Sequence, residues 1–76
     1  MRPRLPFHRG DQFRCPRASS RWHTVARCYR RRSDGALIVA VRASRWYRLL
    51  TGRPVIRMEF HRIEAMGYLV RRKEAA

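Results

Sequence analysis

Carboxylates are scarce in this chain, and lysine is scarcer. Five Asp and Glu stand against 19 Lys and Arg, Lys73 being the sole lysine, so the formal charge is +14. A chain of 76 residues with so few acids cannot neutralise 18 arginines internally. Unpaired guanidinium groups repel one another until water, salt or a polyanion intervenes. GC-rich coding favours Arg over Lys and accounts for that ratio, but it does not account for the shortage of Asp. An isoelectric point near 11.8 is the footprint expected of a nucleic-acid-binding domain. Arginine suits the task because its planar fork grips phosphate bidentately, stacks on rings and stays charged at any physiological pH.

Long apolar runs are missing too. The longest, Ala36–Val41, has six residues, the length of a strand and far short of the roughly 18 needed to span a bilayer. Residues 1–10 are basic without an apolar stretch, so no secretory signal is expected, and a cytoplasmic location with no membrane partner follows. No basic amphipathic helix stands out as a membrane-surface anchor. The size and composition are those of a bacterial or phage-like gene product.

Cys15 and Cys28 are the only cysteines, and in a reducing compartment they are expected as free, partly buried thiols. Zinc through Cys15, His23, Cys28 and His8 or His61 would need close ligand pairs such as C-x₂₋₄-C. The ligands here are spaced eight and five residues apart, so neither metal nor other cofactor is expected. Catalysis lacks its parts as well. Asp34 belongs to a turn, Glu74 to the tail, and Glu59 and Glu64 are five apart, off a common helical face. Acid–base chemistry needs groups gathered in one pocket, and neither a Gly-rich phosphate loop nor a nucleophile in recognisable context occurs. The chain reads as non-enzymatic.

With 45% apolar residues, the composition is that of a folded chain, though one this short buries only about 60% of its unfolded surface. Residues 1–10, with Pro3 and Pro6, read as a basic extended arm whose Phe7 is available to the core. Residues 11–72 form the domain and 73–76 a tail. Asp11–Cys15 reads as a short edge strand ended by Pro16, and Arg17–Arg21 as a loop. Trp22–Arg31 and Ala36–Arg42 are rich in β-branched and aromatic residues around Ser33-Asp34-Gly35, which predicts a β-hairpin. Strict alternation puts Val25, Arg27, Tyr29 and Arg31 on one face of its first strand. The second strand is apolar on both faces, as a central strand is.

Arg45–Leu50 is ambiguous between strand and short helix, with Trp46 and Tyr47 favouring strand. Ile56, Phe60, Ile63, Gly67 and Val70 recur at helical intervals, so residues 55–66 are expected as a helix with Pro54 in its first turn. The rival reading is a strand with Ile56, Met58 and Phe60 on one face; residues 67–72 continue the helix or form a last strand. The expected core is Trp22, Leu37, Val39, Val41, Trp46, Leu49, Ile56, Phe60, Ile63 and Leu69. The fold class is therefore α+β: a small single domain in which a β-hairpin or three-stranded sheet packs with a C-terminal helix. A small SH3-like β-barrel is one alternative architecture.

A second alternative comes from Ile63-Glu64, Gly67, Tyr68-Leu69-Val70 and Arg71-Arg72. This succession resembles the end of a winged-helix recognition helix running into its first wing strand. The resemblance implies a winged helix and is confined to Phe60–Arg72, because the earlier helices of that family would fall on Ala36–Val41 and Arg45–Leu50.

Arginine interleaved with rings is the feature that points to chemistry, since guanidinium groups hold phosphates while an exposed ring stacks on a base. Arg27, Tyr29 and the triplet Arg30, Arg31 and Arg32 are the first expected contact cluster. Arg71, Arg72 and Lys73 are the second, and Arg57 and Arg62 on the expected helix are the third. Trp22 and Trp46 also lie beside arginines, but large rings dominate small cores. The expected function is a small, non-enzymatic DNA- or RNA-binding protein. The alternative is a phage or mobile-element inhibitor or adaptor that docks on an acidic surface of a host polymerase or CRISPR effector, since Arg pairs with carboxylates equally well.

Overall fold

Turn chemistry places the hairpin where the sequence does. In a computed structural model that describes residues 5–73, β2 (His23–Arg30) and β3 (Leu37–Arg42) pair antiparallel from Arg30↔Leu37 to Val25↔Val41. Gly35 takes a left-handed φ of 73°, which a side chain would resist. Its N–H donates to the Arg31 carbonyl at 2.8 Å, and the Arg31 N–H donates to the Ala36 carbonyl at 2.8 Å. The pairing slips one residue at Ala26, between Val25↔Val41 and Arg27↔Ala40. That bulge corrects the strict alternation expected for the strand. Val25 and Cys28 both reach the core, while Arg27 and Tyr29 take the opposite face.

The remaining elements are β1 (Gln12–Arg14), α1 (Arg45–Thr51), β4 (Val55–Glu59), α2 (Phe60–Met66) and β5 (Leu69–Arg71). The chain is a small α+β single domain with one antiparallel five-stranded sheet, in the order β4-β3-β2-β1-β5. β3 is internal, as its two apolar faces require. β1 is internal as well rather than an edge, because Phe13 pairs with His23 on one side and Val70 on the other. The edge strands β4 and β5 do not pair with each other, so the ladder does not close into a barrel.

One expectation is corrected and one ambiguity is resolved. Residues 55–59 form a strand, not the start of a helix, because Ile56 and Met58 also alternate and can pair with Val41 and Val39 on β3. The helix is confined to α2, so Pro54 precedes a strand. Arg45–Thr51 is helical despite its strand-favouring rings. Ser44 caps it, its Oγ accepting the Tyr47 N–H at 3.3 Å, and Gly52 ends it in a left-handed conformation with its N–H on the Arg48 carbonyl at 2.8 Å. The winged helix is excluded because Ala36–Val41, where one of its earlier helices would fall, lies largely in β3 and pairs on both sides, while the sheet has five strands where three were expected.

The core gathers Phe7, Phe13, Cys15, Val25, Val39, Val41 and Ile63, with Phe60 and Tyr68 packed against it. Phe7 stacks on Phe13 with centroids 5.0 Å apart and meets Phe60 and Tyr68 edge-on at 5.8 and 5.4 Å. Residues 1–4 of the expected arm and 74–76 of the expected tail lie outside the described residues. Trp46, Leu49 and Leu69 are exposed rather than buried, and α1 buries no residue. That helix therefore depends on its caps. Ser44→Ala is expected to cost about 0.5–2 kcal/mol of helix stability, visible as a selective loss of amide protection over residues 45–51 in hydrogen exchange.

Candidate nucleic-acid interface

The structure divides the expected contact clusters. Arg31 is committed to Asp34, its Nε and Nη2 donating to Oδ1 at 3.0 Å and to Oδ2. This pairing, helped by the Ala36 N–H, lowers the Asp34 pKa to about 2. Arg30 donates to the Gly35 carbonyl at 3.1 Å, and Arg32 is exposed on the turn. The triplet is therefore partly spent on holding its own hairpin. Arg27 stacks over the Tyr29 ring at 4.9 Å. The two residues share the outer face of the sheet with Arg57, since Ala40 of β3 pairs with Arg27 on one side and Arg57 on the other. Arg62 is exposed on α2 and lines a groove with Arg57, but Glu59 shares that wall.

The C-terminal cluster separates completely. Arg71 lies over the Trp22 ring at 3.8 Å, with Arg14 at 5.6 Å from the same ring. Arg72 turns the other way, its Nη1 donating to the Pro6 carbonyl at 2.6 Å and to Asp11 Oδ2 at 3.0 Å. The Lys73 N–H donates to Asp11 Oδ1 at 3.0 Å. The Arg72 side chain and the Lys73 backbone thus tie the end of the domain to its beginning.

A different set of arginines converges. Because β2 and β3 are antiparallel, the start of β2 lies beside the end of β3 and the entry to α1. This brings Arg21 and Trp22 to the same groove as Arg42, Arg45 and Tyr47, in a cavity of about 330 Å³. A second groove of about 610 Å³ adjoins it, with Tyr47 and Ile56 common to both walls and Arg53 and Arg57 on its far side. Five arginines therefore line one band, and no carboxylate is among its lining residues. His23, also in the band, has its pKa lowered by burial and then by the charge of Arg21.

Of the residues expected from sequence, only Arg57 belongs to this band. Arg21, Arg42, Arg45 and Arg53 were not singled out as contacts, because they are dispersed in sequence and only strand pairing brings them together. The one sequence signal was the adjacency of Arg21 to Trp22 and of Arg45 to Trp46-Tyr47.

Among the described residues no three His, Cys, Asp or Glu side chains come together as a metal site. Cys15 and Cys28 are free thiols whose pKa values are raised by burial. No helix among the described residues is long and apolar enough to cross a membrane. No protein-family model matches the sequence, and neither a curated protein nor a solved structure matches it.

Proposed function

We propose that this protein is a small, non-enzymatic nucleic-acid-binding module that grips phosphates along the acid-free band. The observation that carries the reading is that Arg21, Arg42, Arg45, Arg53 and Arg57 line two adjoining grooves with no carboxylate between them. Elsewhere the acids are placed beside cations, as Asp11 is with Arg72 and Asp34 with Arg31. A band left without internal counter-charge is suited to a polymer whose phosphates repeat at short intervals. Two free thiols fit work in the reducing cytoplasm.

The test is fluorescence anisotropy with labelled DNA and RNA across a salt series. Each phosphate contact on duplex contributes about 0.9 to the slope of log affinity against log salt. Replacing Arg21, Arg42 and Arg45 with Ala is expected to flatten that slope by about 2–3 and to weaken binding by about 100-fold near physiological salt. The melting temperature reports whether the triple variant is folded. An unchanged slope in a folded variant removes the band from the interface. If no polymer binds near physiological salt, the charge serves an acidic protein surface instead.

A further inference from the structure

The band does not account for the most exposed apolar surface of the molecule. On α1, Trp46 is 75% exposed, Leu49 68% and Leu50 82%. At about 100° per residue these three occupy an arc of roughly 100° on the helix. Arg45 and Tyr47, which line the band, stand at the two borders of that arc. The apolar face is thus continuous with the basic grooves.

We infer that the ligand of this surface is single-stranded nucleic acid, with Trp46 as the platform on which an unpaired base stacks. The inference rests on the nucleic-acid reading of the band and narrows it. A duplex presents phosphate and sugar outward and keeps its base faces stacked, so Trp46, Leu49 and Leu50 would stay in water against it. An unpaired strand offers both partners at once: phosphates for Arg42, Arg45 and Arg53, and flat apolar base faces for the helix. No acid occurs in the sequence between Asp34 and Glu59, so nothing along this stretch repels the polymer. A second copy of the chain fits the face poorly. Three side chains from each copy fall well short of the roughly 1,200 Å² of a stable interface, and each copy brings a charge of +14.

The experiment compares a labelled twelve-nucleotide oligo-dT, the matching oligo-U and a duplex of the same length, by anisotropy at about 0.15 M salt. The single strands are expected to bind at least about tenfold more tightly than the duplex. Trp46→Ala is expected to lose about tenfold on the single strands, within the range measured for base–aromatic stacking, and nothing on the duplex. Trp46→Phe restores most of the loss, because it keeps a ring. The variants are expected to melt with the wild type, since the side chain is exposed. A duplex bound as tightly as the single strands, or a Trp46→Ala loss that the duplex shares, overturns the inference and leaves the wider reading standing. Binding of no polymer overturns both.

Discussion

Phe7→Ala is expected to lower the melting temperature by roughly 12–40 °C. The ring is fully buried and touches three others, stacked on Phe13 and edge-on to Phe60 and Tyr68. Removing a buried phenyl group costs about 3–5 kcal/mol, from lost transfer energy and from the cavity left behind. A 76-residue domain has a total stability of only about 4–11 kcal/mol on a per-residue scale, so a large share of the margin goes. The neighbours cannot close the gap easily, because they come from different elements: β1, α2 and the α2–β5 connection. Circular dichroism melts would show the loss, and Phe7→Leu, which refills much of the volume, should recover much of it. A cooperative Phe7→Ala melt within a few degrees of wild type would mean that the first residues are not part of the core. The same reasoning predicts that deleting residues 1–10 unfolds the domain instead of trimming an arm.

Asp11→Ala should be nearly as damaging, for an electrostatic reason. The carboxylate is buried and accepts three hydrogen bonds, at Oδ1 from the Lys73 N–H and at Oδ2 from the His8 N–H and Arg72 Nη1. Through them one side chain closes the beginning of the domain onto its end. Removing it strands two backbone donors and one guanidinium group, at about 2–4 kcal/mol. Arg72 is half exposed and can rehydrate, which keeps the cost below that of a fully buried pair.

The same residue sets a pH dependence. Burial alone would raise the Asp11 pKa, but the Lys73 and His8 N–H groups and Arg72 outweigh it and hold the value below 3.8. A carboxylate whose pKa is depressed on folding contributes its full stabilisation above the unfolded value. That contribution is lost as pH falls through the folded one. Urea denaturation at several pH values should therefore show wild type and Asp11→Asn converging as the pH falls below about 4. A gap that stays constant down to pH 2 would assign the effect to shape and not to charge.

Legibility of the fold from the sequence followed the range of the interaction responsible. The hairpin was readable because Ser33-Asp34-Gly35 and the flanking β-branched residues act over a few positions. The face assignment on β2 was not, since the bulge at Ala26 is fixed by how β2 meets β3 and has no local signature. Residues 55–59 satisfied two periods at once, and the choice of strand came from a free edge on β3. In α1 the caps Ser44 and Gly52 outweighed the strand preference of Trp46 and Tyr47. The contact clusters show the same limit. Consecutive arginines stood out in the sequence, yet Arg31 and Arg72 are bound to Asp34 and Asp11, while the five arginines of the band come from the loop before β2, the end of β3, α1, the α1–β4 connection and β4.

The sequence by itself determined the charge, the α+β class and the hairpin, because each follows from composition or from neighbours along the chain. Only the tertiary structure decided which cations are spent internally and which remain unpaired. It also decided that the helix with the largest apolar side chains faces water. Both depend on distances between residues far apart in sequence, and these are fixed by strand pairing.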